Sequence, residues 1–279
     1  MTQDGRAIRL RAHADALWQA ERDQAPIPSI SGTDPELTVD DAYAIQTHNV
    51  ERRLAEGRVV RGRKIGLTSR AMQQMLGVDE PDFGVLFDDM LVENSAPIDL
   101  GRLCQPKVEA EIGFLLGQDL TGPGVMAADV LRATAGLLPV LEIVDSRLRD
   151  WKITLVDTVA DNASSARAVL GGRLTPAQEG KDLPLLGMVF SRNGTVEATG
   201  TGAAALGNPA TCVAWLANKL AAFEVGLSRG QVVLSGALHA AVDLADGDAV
   251  RADFADLGSV AATFTGRPAG RARQVGGEL

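Results

Sequence analysis

The chain is poor in cysteine, histidine and aromatic side chains, and each shortage closes off a class of function. Two cysteines, Cys104 and Cys212, in 279 residues cannot form a disulfide scaffold and read as free thiols in a reducing compartment. Three histidines and no CxxC, HxH or HExxH leave a zinc site without ligands in a usable pattern. Aromatics make up 4% of the residues and Tyr43 is the only tyrosine, so stacking platforms and aromatic cages are not expected. Positive charge is also short: 27 Lys and Arg face 36 Asp and Glu, for a net charge of −9. Such a chain lacks the basic footprint that nucleic-acid binding requires. No uninterrupted apolar run reaches the roughly 18 residues of a membrane span. The opening MTQDGRAIRLRAHADALW has no apolar signal region, and its acidic residues do not suit a transit peptide. A soluble cytoplasmic protein is expected. Neither GxGxxG, GxxxxGK[ST] nor GxSxG is present, so dinucleotide, P-loop and serine-hydrolase readings have no support.

What is present is an ordinary globular composition, 46% hydrophobic and 23% charged, which argues against disorder over most of the length. Residues 8–24 carry helical spacing, and Pro26 and Pro28 end that run. Thr38, with Asp41 three positions on, marks the start of a second helix that Gly57 stops. The texture then changes. VVRGRKIGLT reads as a strand, RAMQQML as a short helix closed by Gly77, and GVLFDDMLV as one further strand. KVEAEIGFLLG and LPVLEIVDS are strong strands with AADVLRATAG as a helix between them. Residues 147–185 are irregular. MVFSRNGTVEATG is a hairpin turning at Asn193-Gly194. A helix opens at Pro209, and QVVLSGAL, AVRADFADL and SVAATFTG are closing strands. The order lacks a βαβ rhythm and predicts an α+β fold on a mostly β core. Three parts are expected: a helical segment over 1–58, a catalytic domain over 59–266, and a disordered tail over 267–279.

The chemistry concentrates in a few segments. Glu109 and Glu111 lie two apart on a strand and share a face. That face continues through Gly113 and Leu115, so it does not read as solvated. Glu142 sits alone among Leu138, Val140, Leu141, Ile143 and Val144, where a carboxylate is costly unless paired or liganding. A hard divalent cation would relieve three such groups at once. The pair also fits a solvated sheet face or a partner for Lys or Arg. Lys64 is either a pocket lysine or one that snorkels to the surface. Asp79, Asp82, Asp88 and Asp89 crowd one loop and strand, and supply either a general acid–base or local turn bonds. In VADNASSARAVL, Asp161 and Asn162 read as caps of a short helix with Ser164 and Ser165 in its first turn. His239 reads as structural or peripheral.

GRKIGLTSRAMQQMLGVDEPDFGVLFDDM, QPKVEAEIGFLL, LPVLEIVDSRLRDWKITLVDTVADNASS, GNPATCVAWLANKL and VVLSGAL, in that order, closely resemble the 2-keto-4-pentenoate hydratases. These belong to the fumarylacetoacetate hydrolase superfamily. The resemblance runs from about Ala42 to Phe264. It implies a fumarylacetoacetate hydrolase-like rolled mixed β-sandwich with flanking helices and an N-terminal helical segment. It also implies a Mg²⁺ or Mn²⁺ site on Glu109, Glu111 and Glu142, with Lys64 and Asp82 as catalytic residues and Ser164 as a substrate contact. The implied reaction hydrates 2-hydroxypenta-2,4-dienoate to 4-hydroxy-2-oxopentanoate in aromatic meta-cleavage catabolism. The implied assembly is a homo-oligomer, often a decamer. The related 4-oxalocrotonate decarboxylases share VADNASS and the Glu-x-Glu pair. They tend to read KMG where this chain has Lys64-Ile65-Gly66, and to lack PDFG. His239 departs from the residue expected after SGAL. A decarboxylase, a non-catalytic partner subunit and an acylpyruvate-type C–C hydrolase remain as alternatives.

Overall fold

The computed structural model describes residues 3–177 and 180–268. The expected disordered tail lies, from residue 269 on, outside the described residues. Three helices come first, α1 (Gln3–Asp23), α2 (Ile30–Thr33) and α3 (Val39–Ala55). Then follow β1 (Val60–Gly66), α4 (Arg70–Leu76), β2 (Asp82–Phe87), β3 (Leu91–Glu93), β4 (Pro97–Asp99) and β5 (Pro106–Leu116). The middle holds α5 (Ala127–Ala133), β6 (Thr134–Asp145), α6 (Leu155–Ala160), β7 (Ser165–Leu170) and β8 (Thr175–Pro176). The chain closes with β9 (Gly187–Arg192), β10 (Thr195–Thr201), α7 (Pro209–Ala221), β11 (Val232–Ala237), β12 (Val242–Asp243), β13 (Ala249–Phe254) and β14 (Gly258–Thr265).

Local chemistry accounts for many of these boundaries. Thr38 and Asp41 form a reciprocal capping box at the start of α3. Gly57, at φ +86°, supplies the left-handed residue that ends it. Asn193 at φ +52° and Gly194 at φ +80° give the β9–β10 hairpin two left-handed central residues, the turn whose twist matches the strands.

The larger sheet runs β2-β1-β11-β5-β6-β7-β3. Its two end strands are joined by Asp88–Met90 alone, a single 3₁₀ turn. Seven flat strands would span about 29 Å between those ends. Four backbone steps reach at most about 14 Å. The sheet therefore rolls up. This corrects the expectation of one continuous strand over GVLFDDMLV: the 3₁₀ turn splits it, and its halves lie on opposite edges of the sheet path.

The second sheet, β10-β9-β13-β14-β4, packs on the outside of the roll. Val250, Ala252 and Phe254 alternate inward with Val260, Ala262 and Phe264. They meet Val108, Ala110, Ile112 and Phe114 from the outer face of β5 in one apolar cluster. Helices α1, α3, α6 and α7 cover the remainder of that cluster. Gln46 of α3 donates from Nε2 to the Phe83 and Val159 carbonyls, which ties the helical segment to β2 and α6. The architecture is the expected rolled sheet with a second sheet and flanking helices.

Candidate active site

Strand register decides which side chains face the interior of the roll. Lys64 pairs with Gly84 on one side and Leu234 on the other, and Gly113 and Leu138 continue that row. Glu111 stands opposite Val140, and Glu109 stands opposite Glu142, which in turn faces Ala168. Residues two apart share a face, so these side chains all point inward. Leu86, Leu138, Val140, Ala168 and Leu234 fill the interior with apolar surface. The carboxylates share this face, and Lys64 reaches Glu142 from the row of Leu234 and Leu138.

Carboxylate oxygens of Glu109, Glu111 and Glu142 lie within 4.8 Å of one another. Glu142 is fully buried, and neither of its oxygens accepts a well-formed hydrogen bond among the described residues. Lys64 Nζ sits 3.4 Å from Glu142 Oε2 and donates to the Ala163 carbonyl at 2.9 Å. The Gly236 N–H donates to Glu111 Oε2 at 2.7 Å. Gly236 is required twice: its φ is +107°, and a Cβ there would stand 2.1 Å from Thr68 Oγ1.

Asp82 enters from the neighbouring strand. Thr158 Oγ1 donates to its Oδ2 at 3.1 Å, while Oδ1 is buried with no hydrogen-bond partner among the described residues. Gly66, paired with Asp82 in the ladder, makes room for it. A Cβ at Gly66 would lie 2.2 Å from Asp82 Oδ1 and 3.3 Å from Lys64 Nζ.

The segment after α6 differs from expectation. Asp161 closes α6 as its C-cap, and neither its side chain nor that of Asn162 caps a helix N-terminus. Asn162, Ala163 and Ser164 form one turn at φ +53°, +50° and +54°, and Ser165 begins β7. Left-handed conformation costs a non-glycine residue about 1–2 kcal/mol. The non-local pairing of β7 with β6 and β3 overrides local capping preference. The Asp161 carboxylate goes to Arg147 instead of to helix N–H groups. The Asn162 side chain grips β2, accepting from Val85 N–H at 2.8 Å and donating to its carbonyl at 3.0 Å. Ser164 Oγ is buried and has no hydrogen-bond partner among the described residues.

His239 lies beside the carboxylates without facing them. Its Nε2 accepts from the Ala110 N–H at 3.0 Å, and Nδ1 donates to the Ala240 carbonyl at 2.7 Å. Both ring nitrogens are engaged in the neutral form, and burial lowers its pKa. The ring fills the gap in strand pairing at Ala110, between Glu109 and Glu111. Asp88 and Asp89 stand apart from the site, paired with Arg58 and Arg53. Cys104 and Cys212 are buried as small apolar side chains. Sequence reasoning missed Thr158 and Arg147, since nothing in local spacing marks either as a partner of a distant aspartate.

The electrostatics follow from crowding in a dry interior. Burial pushes the Glu109 carboxyl up to about 7, Glu142 adds to the rise, and Lys64 opposes it. Burial, then Glu142 and Glu109, raise Glu111 well above the usual range. Burial raises Glu142 and Asp82, with Lys64 opposing in each case. Burial alone would pull Lys64 down, but Glu142, Asp82, Glu109 and Glu111 together outweigh it, so its ammonium form is favoured. Three acidic groups sharing a few ångströms, one of them with an ion pair to Lys64 but no well-formed hydrogen bond among the described residues, fit a hard divalent cation by donor chemistry and by spacing.

Residues 49–265 match the fumarylacetoacetate (FAA) hydrolase C-terminal family. The chain is 50% identical over 252 residues to the 2-keto-4-pentenoate hydratase of Paraburkholderia xenovorans (strain LB400), covering 90% of this chain and 93% of that protein. It is 44% identical over 259 residues to the 2-hydroxyhexa-2,4-dienoate hydratase of Comamonas testosteroni, covering 92% and 97%. Among solved structures, the 4-oxalocrotonate decarboxylase of Pseudomonas putida G7, complexed with magnesium and adipate, superimposes with a TM-score of 0.89. That likeness has 38% identity over 95% of this chain and 98% of the other.

Proposed function

The chain belongs to the fumarylacetoacetate hydrolase family, and from that membership we propose that it is a hydro-lyase adding water to 2-hydroxypenta-2,4-dienoate to form 4-hydroxy-2-oxopentanoate. The observation that carries this reading is the group of three carboxylates within 4.8 Å that shares one face of the roll with Lys64 and Asp82. Relatives named as hydratases of 2-hydroxydienoates or their keto forms support it.

Glu109, Glu111 and Glu142 would hold Mg²⁺ or Mn²⁺. A cation there supplies Lewis-acid polarisation of the substrate's C2 oxygen. Three carboxylates outweigh one dication, so the Lys64 ammonium is the charge that admits an anionic substrate. Glu142 and the Ala163 carbonyl hold that ammonium in place. Asp82 is the proton carrier: burial raises its affinity for a proton, and Oδ1 is committed to no other group. In the reaction the C2 hydroxyl loses its proton and C5 gains one, giving the α,β-unsaturated ketone. Water oxygen then bonds to C4, its proton leaves to a base, and C3 takes a proton as the enolate closes to the ketone. Thr158 orients Asp82 for these transfers, and Ser164 Oγ contacts the substrate.

The same reading places the protein in the cytoplasm as a homo-oligomer, with meta-cleavage catabolism of aromatic compounds as its setting. Among the described residues no helix is long and apolar enough to cross a membrane. A second reading, decarboxylation of 2-oxo-3-hexenedioate, is favoured by the TM-score of 0.89 to the decarboxylase. It is disfavoured by Lys64-Ile65-Gly66 and by the PDFG that contains Asp82. A UV time course with freshly generated 2-hydroxypenta-2,4-dienoate, run with Mg²⁺, Mn²⁺ or EDTA, separates the two. Metal-dependent loss of the diene with 4-hydroxy-2-oxopentanoate identified by NMR supports the hydratase. No turnover of the dienoate, with CO₂ released from 2-oxo-3-hexenedioate, overturns it.

A further inference from the structure

Arg147 lies just beyond the end of β6, buried, and contacts none of the metal-site carboxylates. Most of its hydrogen bonds go to one turn. Its backbone N–H donates to Asp161 Oδ2 at 2.9 Å and its Nε to Asp161 Oδ1 at 2.5 Å. Nη2 donates to the Asp161 carbonyl, and Nη1 donates to the Ser165 carbonyl at 3.1 Å and the Asp145 carbonyl at 2.6 Å. One guanidinium thus holds residues 161 and 165, the two ends of the turn whose three central residues are all left-handed. A strained turn persists only where its surroundings over-determine it. On its other side the same turn offers the Ala163 carbonyl to Lys64 Nζ and carries the unpartnered Ser164 Oγ. Lys64 and Arg147 therefore grip the two sides of one short segment.

We infer that Arg147 is a positioning residue for the reaction, acting through the Asn162–Ala163–Ser164 turn to fix the Lys64 amine and the Ser164 hydroxyl. The fork of a guanidinium is what spans both ends of the turn. Lysine keeps the charge opposite Asp161, but its compact ammonium lacks the planar fork that places separate donors at the two ends. The role rests on the hydratase reading for its kinetic consequence and on the turn alone for its structural one.

The test is Arg147→Lys in the full chain, with three readouts. Hydrogen exchange is followed over 161–165, where Ser164 N–H donates to the Asp161 carbonyl. Exchange is expected to quicken about 10-fold there and to stay unchanged over β5. Mn²⁺ binding by calorimetry is expected to stay within about twofold, because the carboxylates sit on β5 and β6, whereas kcat should fall about 100-fold from misplacement of the reacting groups. Adding Ala163→Gly, which relieves left-handed strain, should recover part of the lost kcat. Unchanged exchange at the turn overturns the inference. So does a loss of Mn²⁺ binding in step with kcat, which marks a general structural role. If Arg147→Lys does not fold, Asp161→Asn takes its place with the same readouts. An inactive wild type would fault the hydratase reading, and the exchange result would still decide the clamp.

Discussion

Glu109 and Glu142 stand directly opposite each other across the β5–β6 ladder, so two carboxylates that repel are fixed as cross-strand neighbours. Like charges in that relationship destabilise a sheet pair. Glu111, one inward-facing position along, adds a third. Lys64 is the one cation among the described residues that forms an ion pair with this group. Glu142→Gln is therefore expected to weaken Mn²⁺ binding by at least about 100-fold, since even outer-shell partners of a metal cost 10–100-fold. Hydratase activity should fall with it. Calorimetry and the diene assay check both, and retained activity at ordinary metal concentrations would remove the triad from the mechanism.

The pH dependence follows from the same crowding. Burial, with Glu142 beside it, pushes the Glu109 carboxyl up to about 7 in the folded protein from an ordinary value of 4.5, so between those values the folded state holds a proton that the unfolded chain releases. Where the native state binds more protons, stability falls as pH rises. The metal-free protein is expected to lose stability between about pH 4.5 and 7, by up to about 3 kcal/mol from this group. A divalent cation binds the deprotonated forms, so the Tm increment given by Mn²⁺ should grow from pH 5 to pH 8. An increment independent of pH would detach the raised carboxylates from metal binding.

The parts legible in the sequence are those set by neighbours along the chain. The parity of Glu109 and Glu111 put both on one face, the Thr38–Asp41 capping box set the start of α3, and Asn193-Gly194 set a hairpin. The parts that were not legible depend on partners far away. GVLFDDMLV is apolar on both sides of Asp88-Asp89, and that pair alone does not show that the two halves part to opposite edges of the sheet, which only the closure of the roll requires. SARAVL carries weak local preference, and its strand character comes from pairing with β6 and β3. Arg147 and Asp161 are fourteen positions apart, with no spacing rule to join them.

Gly66 tests the packing around Asp82. Its backbone lies outside the left-handed region, so Gly66→Ala adds no conformational strain. The added methyl would instead meet Asp82 Oδ1 at 2.2 Å and displace the carboxyl. A fall in kcat of about 100-fold is expected, with Mn²⁺ affinity retained, because a misplacement near 1 Å carries that penalty. Gly187→Ala, whose added methyl meets nothing within 4 Å among the described residues, is the control and should leave kcat unchanged.

Asp82 and Thr158 separate proton transfer from positioning. Asp82→Asn keeps the shape and the ability to accept from Thr158 Oγ1 but cannot exchange a proton at neutral pH. Proton transfer by a placed side chain is worth about 10²–10⁴-fold, so kcat should drop by that factor while KM and Mn²⁺ binding change little. Thr158→Val removes the one side-chain donor to Asp82 Oδ2 among the described residues and buries a methyl in its place. That carboxyl then holds its proton more tightly, because a donor to the charged form has been lost. The limb of the kcat–pH profile assigned to Asp82 is expected to move to higher pH in Thr158→Val and to vanish in Asp82→Asn. A Thr158→Val profile superimposable on wild type would show that the titrating group is not Asp82 and would return the proton transfer to Lys64.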